Sequence, residues 1–503
     1  MQKVFRSQAL KNLDEEFLLL EAGDIPELTL MYKDGWYGER TDDSRIALAS
    51  SILDVLEGMG QETKGYNGNT LAQAINDRYD EDAGDSVLYL ALDVLQESDF
   101  YNTMISGVMA CLVDIEYDPI QKKVVGMPKA FWRGGTDRGC IEAPHLTKRG
   151  NYYYIMCAEG GTGYYHSVTM GRSENVWGPY EADPCNPIVT SVPENHNERA
   201  DWNHLKPRYY NPESKLQKSG HASYVDLPNG ETWLVHLTSR PFVPELRCTL
   251  GRETAIQRMK WTEDGWLRME NGGNMAQEFV EESKLPEYPV KKLPQRDEFD
   301  SEILGIGYYA PRIDPQTFID LKARPGWIRL RGQESGCSLN KTSILARKLT
   351  SVQAAVTTKV DFTPLSYQHT AGLILYYDNM NFVYLYKYFS DTLNHSAISV
   401  MQVENGIKRE FPEARTFVED GQDIWMRLEI KGRKSYFKWS LDGDTYKEIG
   451  PCFDTTKFSD EYSEFGEFTG TFVGITCGDR MLHQHTADFD FFEYVADETA
   501  DVK

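Results

Sequence analysis

The chain has 503 residues, a formal net charge of −24, eight cysteines, and 12% aromatic residues that include 29 tyrosines and 10 tryptophans. That surplus of acid argues against a nucleic-acid partner and an anionic membrane surface, which both call for a basic face. The length exceeds one ordinary core, so two or three domains are expected. The rings suit β-rich folds and sugar-stacking surfaces alike.

No stretch approaches the roughly 20 consecutive apolar residues that span a bilayer. Phe17-Leu-Leu-Leu20, flanked by Asp14, Glu15, Glu16 and Glu21, is too short and too acidic for a signal peptide. The cysteines form no Cys-x-x-Cys pair and no zinc-spaced cluster, so thiols in a reducing cytoplasm are the expectation.

Residues 1–105 hold 8 basic and 21 acidic residues, a net charge of −13. Thr41-Asp-Asp-Ser44 reads as a helix cap. Ile46, Ala49, Leu53 and Leu56 follow at helical spacing, and Gly58 ends the run. Asn69-Thr70 reads as the cap of a second helix through Ala74, Ile75 and Tyr79. Residues 86–96 read equally as a third helix or a buried strand. No chemical motif appears in this segment, and its acids read as a solvated surface.

From about Ile105 the texture changes to strands and turns. Gly107 to Tyr117 and Val124 to Trp132 read as strands around Asp118-Pro119. Glu142-Ala-Pro-His145 follows, and Pro144 biases the backbone before it to extended geometry, which puts Glu142 near a strand end. Lys148-Arg149-Gly150-Asn151 is a turn, and Tyr152 to Cys157 reads as a buried strand. Glu159-Gly-Gly-Thr-Gly163 reverses the chain into a strand from Tyr165 to Met170. These glycines lack the Lys-Ser/Thr and the following helix that a phosphate loop needs. Residues 191–217 read as a long polar loop. Gly220 to Asp226 and Glu231 to Thr238 form a hairpin around Pro228-Asn-Gly230. Leu250 to Trp261 and Gly265 to Met269 form another.

Residues 270–300 read as a linker. A second all-β segment begins near Arg324, with strands at Ala371 to Tyr377, Phe382 to Phe389, Ala397 to Val403, Ile424 to Ile430 and Ser435 to Ser440. It closes on Ala487 to Val495, which alternates as a strand with one buried face does. This reads as an antiparallel sandwich.

Taken in order, Glu142-Ala-Pro-His145, Ala158-Glu-Gly-Gly-Thr-Gly-Tyr164, Val168-Thr-Met-Gly-Arg-Ser173, Gly220-His-Ala-Ser223, Leu234-Val-His-Leu237 and Leu250-Gly-Arg-Glu-Thr254 resemble family 43 glycoside hydrolases, in particular their β-xylosidases. Residues 297–495 resemble the β-sandwich that these enzymes carry. The resemblance implies a mainly β chain, with an incomplete five-bladed β-propeller over 106–290 and a β-sandwich over 297–497; residues 1–105, the acidic and partly helical segment, lie outside the resemblance and have no assigned role.

It further implies hydrolysis of xylo-oligosaccharides with inversion, with α-L-arabinofuranosidase activity as an extension; short substrates are expected because no export signal is read in the sequence. One carboxylic acid protonates the leaving oxygen while a second activates water. By the matched positions Glu142 is the general acid and Arg252 binds the sugar. His221 lies near the pocket floor, where some relatives hold a water or a calcium ion, and Phe468 is the aromatic at the pocket mouth. No cofactor is required. The partner is a small oligosaccharide, and a homo-oligomer is compatible. Read without the family, Glu142 is a solvated loop acid, His221 a core histidine and Arg252 with Glu253 an ion pair. On the same reading His145 and His166 pack or hydrogen-bond, and Glu159 braces the glycines.

The match has a gap. The family's Asn-Pro…Asp-Pro block, whose aspartate is the general base, and its Asp-Pro-Ser block, whose aspartate tunes the acid, have no counterpart here. The alternative expectation is therefore an inactive carbohydrate-binding or interaction protein derived from the family. A third reading has the acidic segment bind a basic partner.

Overall fold

The structure, a computed structural model, describes residues 45–50, 52–53, 65–78, 112–118, 120, 122–194, 208–464 and 469–502. The expected cap at 41–44, the third element at 86–96 and Phe468 lie outside them. Among the described residues no helix is long and apolar enough to cross a membrane. These residues form two compact units: those up to 160 with 169–186, and 161–168 with 187–194 and 208–502.

In the first unit, residues 45–50 and 52–53 are helical and bury Leu48, Ala49, Ile52 and Leu53. Helix α1 (Gly68–Arg78) buries Leu71, Ala72 and Ile75. Its cap is Asn67, two residues before the expected one. The Asn67 carboxamide oxygen accepts the Thr70 N–H at 3.0 Å, and the Thr70 hydroxyl accepts the Asn67 N–H at 2.8 Å. Gly68 allows close approach: a Cβ there would lie 2.7 Å from the Ile46 carbonyl and against the Ser50 side chain.

Strands β1 (Leu112–Asp118) and β2 (Lys123–Trp132) pair antiparallel, as do β3 (Glu142–Arg149) and β4 (Tyr152–Glu159). Trp132, Ile141, Ile155 and Cys157 form the apolar core here. Strand β5 (Ser167–Ser173) pairs through Gly171 and Arg172 with β6 (Glu181–Ala182).

The first two residues of β5 belong to the second unit, where they pair with β7 (Val189–Thr190). A four-stranded antiparallel sheet follows, made of β8 (Gln217–Asp226), β9 (Thr232–Ser239), β10 (Glu253–Trp261) and β11 (Leu267–Met269). Both expected hairpins are present in it.

The linker region is mostly irregular up to β12 (Arg296–Asp297). The sandwich then has two sheets. One holds β12, β13 (Ile319–Asp320), β14 (Ile328–Arg331), β16 (Gln353–Asp361), β22 (Ile424–Lys431), β23 (Lys434–Ser440), β24 (Lys447–Asp454) and β26 (Thr486–Ala496). The other holds β15 (Ser343–Lys348), β17 (His369–Asp378), β18 (Asn381–Ser390), β19 (His395–Glu404), β20 (Ile407–Glu410), β21 (Thr416–Phe417) and β25 (Phe472–Asp479).

Leu373, Leu375, Val383 and Leu385 from the second sheet and Met426, Leu428, Phe437 and Phe489 from the first belong to one buried core. The alternate residues of β17 and β18, Ile374, Tyr376, Phe382 and Tyr384, form a separate buried cluster. Burial on both faces is why these strands read as continuous apolar runs.

Strand β26 departs from the expected alternation. Ala487 and Phe489 face the core, then Phe492 and Tyr494 do. The register against β16 shifts between Thr358–Phe492 and Val360–Phe489. A bulge there inserts one residue and reverses which parity points inward.

Candidate functional site

Glu142 opens β3, paired with Ala158. The expectation of extended backbone before Pro144 is corrected at Ala143, whose φ is +51°. A bulge between Glu142 and His145 absorbs this left-handed residue. It leaves His145 exposed and Glu142 half-buried. Burial raises the Glu142 carboxyl above the ordinary glutamate range, which favours the protonated form a general acid requires.

Glu159, at the end of β4, is 1% exposed and is also raised by burial. Donors surround it: the Gly135 N–H at 2.5 Å, the Thr169 hydroxyl at 2.6 Å, the Thr136 N–H at 3.1 Å and the Thr136 hydroxyl. These hydrogen bonds offset part of the rise and bind the 134–136 loop. Glu159 thus braces Gly134 and Gly135 in that loop, where the sequence had pointed to the glycines that follow it.

In the second unit the decisive strand is β8. Its register against β9 slips twice, between Gln217 and Gly220 and between Gly220 and Ser223. Lys218 (φ +58°) and His221 (φ +50°) both take left-handed backbone, which non-glycine residues rarely adopt. Gln217 to Gly220 are consecutively buried, and His221 then emerges to the surface. Gly220 is required by contact: a Cβ there would strike the His166 ring.

His166 is fully buried, with Nδ1 3.1 Å from the Lys218 carbonyl. A carbonyl only accepts, so Nδ1 carries the proton and Nε2 is a bare acceptor. Burial drives the His166 pKa down to about 3, so the ring is neutral. It meets the His221 ring edge-on at 6.3 Å, and burial lowers the His221 pKa as well.

Arg252 precedes β10. Its Nε and Nη2 donate to the Thr162 carbonyl at 3.2 and 2.7 Å, and Nη2 donates to Asp460 Oδ2 at 2.9 Å. The same oxygen accepts from Lys218 Nζ at 2.9 Å, and Glu461 Oε1 takes Lys218 at 2.5 Å. Burial pushes Asp460 up, but Arg252 and Lys218 outweigh it and hold the carboxyl well below the usual range. The Arg252–Glu253 ion pair read from sequence gives way to this arrangement. Glu253 pairs instead with Arg240 at 2.6 Å.

Within this unit the structure brings Arg252, His166 and Lys218 into one charged neighbourhood, with His221 against His166. The imidazoles of His166 and His221 do not fit calcium, which takes six to eight oxygens.

Two family models match the chain. Residues 108–267 match glycosyl hydrolases family 43, and residues 296–495 match the β-xylosidase C-terminal concanavalin A-like domain. A xylan 1,3-β-xylosidase of a Vibrio species is 34% identical over 392 residues, spanning 76% of this chain and 69% of the relative. The chain belongs to glycosyl hydrolase family 43. By family it is a glycosidase. A β-xylosidase of Bacillus subtilis is similarly 34% identical over 390 residues, covering 75% of this chain and 69% of its own. The crystal structure of a xylan β-1,4-xylosidase from Bacillus halodurans superposes with a TM-score of 0.70 at 38% identity, over 76% of this chain and 70% of that one. Family 43 membership and these neighbours bear out the propeller-plus-sandwich expectation.

Sequence reasoning missed Lys218, Asp460 and Glu461. A lysine in a strand and an Asp-Glu pair in a loop read as solvated surface. Only the tertiary fold pairs them.

Proposed function

We propose that the chain is an exo-acting, inverting glycosidase of the β-xylosidase type. It releases xylose, and also α-L-arabinofuranose, from short xylo-oligosaccharides. The observation that carries this reading is Glu142, a half-buried carboxyl raised by its burial, at the position where the family resemblance puts the proton donor. The names of similar proteins support the substrate class, including a xylosidase/arabinosidase of Humicola insolens, 35% identical over 386 residues.

In this mechanism Glu142 delivers its proton to the leaving glycosidic oxygen as the bond breaks, and water attacks the anomeric carbon from the opposite face of the sugar and releases a proton to solvent. Arg252 donates hydrogen bonds to sugar hydroxyls, and His221, neutral near pH 7, accepts from a hydroxyl or a water. The reaction uses no cofactor.

A second reading is favoured by one observation: the sequence contains no counterpart of the family's Asp-Pro base block. On that reading the chain binds sugar without turning it over. Losing a general base costs about 10²–10⁴-fold. The test is release of 4-nitrophenol from the aryl β-xyloside and the aryl α-L-arabinofuranoside, alongside xylobiose binding by calorimetry. Turnover that Glu142→Ala abolishes supports the first reading. Binding with no turnover in either protein replaces it with the second.

A further inference from the structure

Arg252, Lys218 and Thr162 lie in the region that matches the glycosidase model, whereas Asp460 and Glu461 lie between β24 and β25, in the region that matches the sandwich model. All five belong to the second unit. We propose that Asp460 is the positioning residue for Arg252, so that a carboxylate from the sandwich region sets the aim of the sugar-binding guanidinium. This rests on the reading above, in which Arg252 binds the sugar.

The geometry of the fork carries the argument. A guanidinium is planar and donates along fixed directions. The Nε–Nη2 edge of Arg252 is held by the Thr162 carbonyl. A guanidinium held by one carbonyl can rock about that acceptor. Asp460 Oδ2, at 2.9 Å from Nη2, supplies the second point that fixes the plane.

Asp460 is itself immobilised. Its Oδ2 also accepts from Lys218, and Lys218 is pinned by Glu461. Glu461 in turn accepts the Tyr164 hydroxyl at 3.1 Å and the Cys248 N–H at 2.9 Å. The side chains of Lys218 and Asp460 are wholly buried, and those of Glu461 and Arg252 are 2% and 7% exposed. Two cations balance two anions, and in a dry site each charge holds its partners strongly. The left-handed backbone at Lys218 persists because this pairing holds its side chain in place.

Two charge-neutral double variants separate aim from fold. Lys218→Met/Asp460→Ala keeps Arg252 and Glu461 but removes the carboxylate that anchors the guanidinium. Arg252→Ala/Asp460→Ala keeps Lys218 and Glu461 and removes the guanidinium itself. Xylobiose affinity is measured by calorimetry, KM and kcat on the aryl β-xyloside, and folding by thermal melts.

The expected result is that both doubles bind xylobiose roughly 10- to 100-fold more weakly than wild type and by similar factors, because an unaimed arginine serves little better than none. Asp460→Glu, which retains the charge but moves the carboxylate by one methylene, is expected to fall between, with KM raised more than kcat is lowered. It also serves if a double variant does not fold. Wild-type affinity in Lys218→Met/Asp460→Ala, or in a folded Asp460→Glu, overturns the positioning role and leaves the glycosidase reading intact. A wild-type protein that neither binds nor hydrolyses the sugar overturns both.

Discussion

The ion cluster around Asp460 and the apolar core between the sandwich sheets lie in the same unit and are equally dry. Leu373 and Leu385 are 0% exposed, as is Asp460. They hold the chain by different means. The core is non-directional, and its members can be exchanged for others of like volume. The cluster is directional: each charge is stable only while its partners stay in place. Burial alone does not separate stability from function. The apolar core supports the fold, and in the proposal above the charges set the orientation of the Arg252 guanidinium.

That contrast can be broken by substitution. Lys218→Met leaves Asp460 and Glu461 with Arg252 as the remaining cation of the cluster. It is expected to cost about 3–5 kcal/mol in denaturant unfolding and to weaken sugar binding as well. Leu373→Ala opens a cavity in the core and is expected to cost about 2–5 kcal/mol, with KM unchanged in the protein that remains folded. A shifted KM in Leu373→Ala, or an unshifted one in Lys218→Met, would erase the distinction.

Acid sharpens it further. The pKa of buried His166 is about 3 and that of His236 about 4, both below the ordinary value of 6.5. As pH falls below about 6.5 the unfolded chain binds protons that the folded chain refuses. The stability that is complete above pH 6.5 is therefore lost towards pH 4, by at most about 1.4 kcal/mol per pH unit for each histidine. Asp460, whose pKa is lowered, adds its own loss only below the ordinary aspartate range of about 4. His166→Gln should flatten the pH 4–6.5 slope of unfolding free energy, and Asp460→Asn should leave that slope alone.

Much of the fold could be read from residues. The runs at 371–377 and 382–389 declare themselves because both faces of β17 and β18 are buried. The hairpin at Pro228-Asn-Gly230 declares itself through its turn. Strand β26 was legible as a strand but its facing was not, since a bulge leaves no mark on the apolar pattern. The helix cap fell on Asn67 because the reciprocal bond with Thr70 needs partners three positions apart, a spacing that Asn69 next to Thr70 cannot supply. Glu142 was legible through its motif, although the left-handed Ala143 beside Pro144 was not. Lys218 and Asp460 are 242 residues apart in sequence, and no local pattern announces a pair made by folding alone.

In the proposed reaction Glu142 gives a proton to the leaving group. The most direct measurement compares wild type and Glu142→Ala on xylobiose and on 2,4-dinitrophenyl β-xyloside, whose leaving group needs no proton. The predicted result is a loss of about 10²–10⁴-fold on xylobiose, with most of the rate kept on the dinitrophenyl substrate and the fall in kcat/KM towards high pH removed. An equal loss on both substrates, or no loss on either, would contradict it.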